Sequence, residues 1–179
     1  HLPQHLPQCV AAHPIAGSDR SGALAAQFGL YQDKKLILCP HETQHPEAEA
    51  LVGRLWQAVG AQTFRMSAQE HDAVFAAVSH LPHILAFAYV HQILDHADGA
   101  TYLDFAATGF RDFTRIASSH PAIWTDICFA NRDSLLKLLE GQQRQLEKIA
   151  SLLRNGDSDG LYRYFAEAKQ TRDDWLERQ

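Results

Sequence analysis

Apolar positions are grouped differently in the two parts of this chain. Before residue 67 they come in short runs: Cys9-Val10-Ala11-Ala12, Leu36-Ile37-Leu38-Cys39 ahead of Pro40, and Gln62-Thr63-Phe64-Arg65-Met66. Each has the length of a strand and is bounded by turn residues or proline. Between the second and third, Pro46-Glu47 opens a stretch with Ala50, Leu51, Leu55, Trp56 and Val59 at helical spacing, and Gly60 closes it. Those are helix start and stop signals, so the pattern predicts a strand-helix-strand unit with parallel strands, in a sheet of only two or three.

From Ser67 onward the period is helical. Ser67-Ala68-Gln69-Glu70 has the spacing of a capping box, in which the serine accepts from the third amide and the glutamate reaches back. The helix it opens is expected to carry Val74, Phe75, Val78 and Leu81 on one face, to bend near Pro82, and to continue through Leu85, Phe87, Ala88 and Leu94. A short helix over Gly109 to Ser118 follows, then one opened by Pro121 that includes Trp124, Ile127 and Cys128. Leu135, Leu139, Gln142, Leu146, Ile149 and Leu153 step by four and three, the seam of a helix lying along another helix, either of its own chain or of a second copy. Asn155-Gly156 ends it, and Leu161 to Leu176 forms a last amphipathic helix. The expectation is a mainly α protein. Residues 1–67 form a small α/β part, and residues 68–179 form an all-helical domain.

Composition narrows the classes. With 179 residues the chain buries a core as one medium or two small domains. Sixteen basic residues are scattered among 21 acidic ones, for a net charge of -5, so the footprint of a nucleic-acid binder is missing. Three separated cysteines, Cys9, Cys39 and Cys128, suit free thiols in a reducing cytoplasm. The wholly apolar stretch around Ile84 to Val90 is too short to span a bilayer, and no secretion signal opens the chain, so no membrane role is expected. His1 stands where an initiator methionine would, and His1-Leu2-Pro3-Gln4 recurs as His5 to Gln8, as in a fragment.

The chemistry-bearing residues cluster in three places. His13 lies where the first strand runs into Pro14-Ile15-Ala16-Gly17-Ser18-Asp19-Arg20-Ser21-Gly22. Imidazole titrates near neutrality, so a histidine held there suits a general base, and a structural turn is the competing reading. His71, His80, His83, His91 and His96 crowd the first helical stretch, with Asp72 beside His71. Hydrogen-bonding or core roles, a substrate contact, and a metal site are all open for them, although no His-Glu-x-x-His spacing supports a metal. Arg111 and Arg115 are one helical turn apart and could grip carboxylates bidentately or form a surface pair with Asp112. No Gly-x-Gly-x-x-Gly, Walker-type loop or Gly-x-Ser-x-Gly elbow occurs.

Taken in order, these stretches resemble the prephenate dehydrogenase family, which includes arogenate and cyclohexadienyl dehydrogenases. The resemblance runs through His13 to Gly17, Ser21-Gly22, Leu36 to Pro40, Leu55-Trp56, Gly60-Ala61, His71-Asp72 and Val74-Phe75. It continues through Ser79-His80-Leu81-Pro82-His83, Ala86 to Ala88, Gly109 to Ala117, Pro121, Trp124, Asp126-Ile127 and Asn131, about two thirds of the chain. It implies the end of a Rossmann-type nucleotide-binding domain over 1–67 and a helical substrate-binding and dimerisation domain over 68–179. The glycine-rich loop, and a serine partnering the histidine, would lie in a missing amino-terminal half.

The implied reaction is oxidative decarboxylation of prephenate to 4-hydroxyphenylpyruvate with NAD or NADP, in tyrosine biosynthesis in the cytoplasm. By the same resemblance His13 is the catalytic base, Arg115 binds a substrate carboxylate, His83 and Ser79 meet the substrate's side-chain end, and Ser18 also contacts substrate. Asp19, Asp112 and Arg115 form an ionic network, and Arg111 and Trp124 reach the partner's site in a homodimer. Prephenate or arogenate is the implied substrate, and tyrosine an implied feedback ligand. A non-catalytic dimeric module binding prephenate, tyrosine or 4-hydroxyphenylpyruvate is the alternative, and a histidine-rich metal protein is a third.

Overall fold

Leu36, Ile37 and Leu38 are apolar without alternation, which is the composition of a strand covered on both faces. In the computed structural model, which describes residues 3–17, 22, 24 and 26–178, all three are buried in the central strand β2 (Lys35–Cys39). Strand β3 (Gln62–Arg65) lies parallel to it, with Lys35 opposite Gln62 and Leu38 opposite Arg65. Helix α1 (Pro46–Ala58) makes the crossover between them. Leu36, Leu38 and Ala61 form the core here, with Val10, Val52, Tyr31 and Trp56 packed on it. Gly60 ends the α1 connection at φ +90°, where a side chain would also collide with the Gln32 amide group.

Strand β1 occupies Ala11–Pro14 rather than Cys9 to Ala12, and it pairs antiparallel with β2, so the sheet is mixed. A 3-10 turn over Pro3–Gln8 displaces the strand, because the Cys9 amide bonds to the Leu6 carbonyl and leaves the ladder. Pro14 is tolerated inside β1 because the strand is at the sheet edge. His13 is thereby placed within the strand, opposite Ile37, and not in the loop beyond it.

The capping box forms as expected. Ser67 Oγ accepts from the Glu70 amide at 3.1 Å, and the Ser67 amide donates to the Glu70 carboxylate at 2.8 Å, opening α2 (Ala68–Phe75). The expected face is only partly buried. Phe75 is inside, while Val74 and Val78 are 44% and 67% exposed, because His71 and Phe75, one turn apart, carry the inward side of α2. One turn of π-helix, Ala76–His80, joins α2 to α3 (Leu81–Leu94). It stands just before Pro82, whose missing amide hydrogen would interrupt the α-helical ladder there. The run from Ala68 to Leu94, 27 residues, is long and apolar enough in composition to cross a bilayer, which the short apolar core at Ile84 to Val90 did not suggest.

Helix α4 (Gly99–Asp104), not anticipated, precedes α5 (Thr108–Thr114). The helix expected through Ser118 tightens into a 3-10 turn at Arg115–Ser118. Then come α6 (Pro121–Ala130), α7 (Arg132–Arg154) and α8 (Ser158–Leu176). The chain divides into two compact units between Leu135 and Leu136, the first holding the sheet and α1 to α6. Along the α7 seam Leu135 is buried, whereas Leu146 and Leu153 are exposed, as are Phe165 and Trp175 of α8.

Candidate active site

The capping box starts α2 four residues before His71, and the pairing of β1 with β2 sets His13 across from it. The two rings meet: His13 Nδ1 and His71 Nε2 are 2.9 Å apart, and the other His71 nitrogen, Nδ1, is 3.0 Å from Asp72 Oδ1. Phe75 packs under both, with ring centroids 4.8 Å from His13 and 4.5 Å from His71. Desolvation by these neighbours, and next the facing His71, hold the His13 pKa below its ordinary 6.5. Asn131, buried after α6, donates from Nδ2 to the Asp72 carbonyl at 2.7 Å and ties that turn down.

A second set of side chains gathers beyond this contact. His83 Nδ1 donates to the Ser79 carbonyl at 2.8 Å, and its ring stacks on Trp124 with centroids 3.6 Å apart and planes at 19°. Trp124 also meets His80 edge-on. Burial chiefly, with Arg115 adding to it, lowers the His83 pKa against the opposing effect of the Ser79 bond, and burial lowers that of His80. A cleft of about 650 Å³ is lined by Gly17, Ser79, His83, Arg115, Ser118 and Ser119. Arg111 and Arg115 line a neighbouring cleft of about 390 Å³ with Phe110 and Thr114.

The structure thus groups Ser79, His83, Trp124 and Arg115, and brings Gly17, four residues past His13, into the same cleft. It does not pair Asp112 with Arg115: no ion pair joins them, and among the described residues Asp112 lines neither cleft. Ser18 and Asp19 lie outside the described residues. Trp124 is placed against His83 of its own chain. The His71–Asp72 link to His13 was not anticipated as a unit; its signal was a histidine-carboxylate pair one turn into a capped helix. Among the described residues no group of three potential ligands converges as a metal site.

The β2–α1 connection does not fit a dinucleotide pyrophosphate. It contains no glycine, the Gln44 and His45 amides are spent on the His41 and Pro7 carbonyls, and Glu47 and Glu49 put negative charge in the first turn of α1.

Comparison with known proteins gives a consistent result. Residues 67–167 match the family model described as prephenate dehydrogenase, dimerization domain, and residues 1–65 match that for the nucleotide-binding domain of the same family. The chain is 40% identical over 168 residues to prephenate dehydrogenase of Bacillus subtilis (strain 168), covering 93% of this chain and 45% of that protein. It is 33% identical over 174 residues to cyclohexadienyl dehydrogenase of Zymomonas mobilis, covering 96% and 59%. The chain therefore spans about half the length of the curated relatives it matches. The crystal structure of prephenate dehydrogenase from A. aeolicus in complex with hydroxyphenyl propionate and NAD+ superposes with a TM-score of 0.85 at 37% identity, covering 92% of this chain and 58% of that one.

Proposed function

The chain belongs to the prephenate dehydrogenase family, and from that premise we propose that it supplies the substrate-binding and proton-accepting side chains for oxidative decarboxylation of prephenate or arogenate. The division of labour we propose is an α/β part over 1–67 that presents His13 and a helical part over 68–179 that holds substrate and dimerises. The observation that carries the reading is the cleft in which Ser79, His83 and Arg115 converge with Gly17, four residues past His13. The reaction removes the 4-hydroxyl proton, a hydride from the same carbon, and carbon dioxide from the ring. The relatives' names and the NAD+ in the A. aeolicus complex support NAD or NADP as the oxidant. The β2–α1 connection does not fit that dinucleotide, and the roles assigned here are those of this chain's own side chains.

His13 accepts the hydroxyl proton as the carbonyl forms, and the proton returns to the same oxygen when the ring becomes a phenol. Arg115 offers paired donors to a substrate carboxylate, with Arg111 extending the positive edge. His83, fixed by Ser79 and Trp124, stands against the side-chain end, and Ser18 is assigned to substrate binding. Asp19 is assigned, with Arg115, to an ionic network shaping the pocket, and Asp112, which is not paired with Arg115 in this structure, to the same network. The exposed apolar residues Val74, Val78, Leu146 and Leu153 suit burial against a second copy, in keeping with the matched dimerization domain.

The test is prephenate-dependent reduction of NAD or NADP by the protein that carries this chain. Binding of prephenate or tyrosine without reduction would favour the non-catalytic module instead. Arg115→Ala is expected to raise KM about 10- to 100-fold with turnover largely kept, because a carboxylate loses a charged bond worth roughly 1.5–3 kcal/mol. A loss confined to kcat would move Arg115 out of substrate binding.

The pH dependence follows from the three lowered histidines. His13 stays an unprotonated base below 6.5, so the acidic limb of the rate profile is expected beneath that value, and a limb above 7 would contradict the assignment. For folding, the unfolded chain takes up protons at His13, His80 and His83 at a higher pH than the folded one does. Stability is therefore full above the ordinary 6.5 and is lost as pH falls below it, which thermal unfolding at pH 7.5 and 5.5 would register.

A further inference from the structure

Of all the side-chain clusters in the chain, the contact of His13 with His71 and Asp72 carries a consequence that its role as proton acceptor does not include. A carboxylate offers only acceptors, so the 3.0 Å contact with Asp72 requires the hydrogen of His71 to sit on Nδ1. Neutral His71 then presents a lone pair at Nε2. The 2.9 Å contact with His13 must be filled by a hydrogen on His13 Nδ1, which leaves His13 Nε2 bare.

We infer that Asp72 and His71 are positioning residues that fix the tautomer of His13, so that its unprotonated Nε2 is the atom offered to the substrate hydroxyl. The inference rests on the reading of His13 as proton acceptor, and it names how that reading is achieved. The same pair acts again after the proton is taken. Imidazolium at His13 keeps its Nδ1 hydrogen bonded to His71 Nε2, and the hydrogen on His71 Nδ1 stays donated to the Asp72 carboxylate, so no second proton need move. Three features hold the arrangement: the capping box that starts α2, Phe75 under both rings, and Asn131 on the Asp72 carbonyl. Without the carboxylate, His71 is free to carry its hydrogen on Nε2 and donate to His13 Nδ1, which would put the His13 hydrogen on the reacting nitrogen.

The direct test needs no turnover. Long-range proton–nitrogen NMR of the 15N-labelled chain at pH 7.5 distinguishes the two nitrogens of each imidazole. Both His13 and His71 are expected with hydrogen on Nδ1. In Asp72→Ala, a change at a half-exposed side chain, the Nε2–H form of His13 should appear. Finding His13 as Nε2–H in the unaltered chain, or unchanged in Asp72→Ala with the fold retained, would overturn the inference.

In the protein that carries this chain, Asp72→Asn should lower kcat about 10- to 100-fold with KM held, and Asp72→Glu should restore part of it. That is smaller than the roughly 10⁴-fold cost of mis-set tautomers at a buried carboxylate, since Asp72 is partly in solvent and acts through two rings. Unchanged kcat in Asp72→Asn would count against the inference. Unchanged turnover in His13→Asn would instead remove the proton-acceptor reading beneath it, while the NMR result still decides the tautomer.

Discussion

His13→Asn is expected to reduce kcat about 10²- to 10⁴-fold while leaving KM near its original value, the range a positioned general base contributes. Asparagine preserves a polar group of similar reach at the edge of β1 but cannot take a proton. Its side chain can still meet His71, so the sheet and α2 should keep their register, and circular dichroism and thermal unfolding should change little. Steady-state assays with prephenate across pH 5 to 9 give the cleanest measurement. The acidic limb set by imidazole should vanish together with the rate. A variant with full turnover would dissociate the β1 histidine from the chemistry altogether.

Leu36→Ala is the largest expected effect on the fold. Leu36 is fully buried in β2, with Leu38 and Ala61 in its cluster and Trp56, Val52 and Tyr31 packed on it. Removing its three distal carbons loses their transfer free energy and leaves a cavity that a thin three-stranded sheet can only partly close, for a cost of about 2–5 kcal/mol. Against a typical total of roughly 5–15 kcal/mol this is a large share. Chemical denaturation monitored by circular dichroism and tryptophan fluorescence would measure it, and a cost under about 1 kcal/mol would mean that the sheet collapses readily around the gap. Ile37 faces His13 across the ladder, so the same change should also lower activity through a disturbed β1.

Much of this was legible in the chain. The continuous apolar run at Leu36 to Cys39, the Pro46 to Gly60 helix signals and the Ser67 capping box are local, and local rules place them within a residue or so. The first strand slipped by two residues because its start is decided by a 3-10 turn held by prolines and by an edge that tolerates Pro14, neither of which alternation reports. The mixed sheet is likewise a non-local result. Of the candidate site, His13, Ser79, His83, Trp124 and Arg115 are singled out by a family resemblance, since spacing alone leaves turn, surface and core readings open for them. The Asp72–His71–His13 contact spans 58 residues of sequence between its histidines, and no period in the chain encodes it.

The single π-helical turn at Ala76–His80 sets the rotational phase of the helical run. His71 and His83 are twelve positions apart, which on an unbroken α-helix leaves them about 120° apart around the axis. One extra residue accommodated in a wide turn takes back about 100°, returning the two histidines to within roughly 20° of each other. The residue that contacts His13 and the one that lines the cleft beside Arg115 are thus brought onto one side of the same helical run by a local winding defect. Deleting Ala77 or Val78 would let the run wind as unbroken α-helix with eleven steps between the two histidines, which again leaves them about 20° apart, whereas closing the wide turn at full length would return His83 to about 120° from His71.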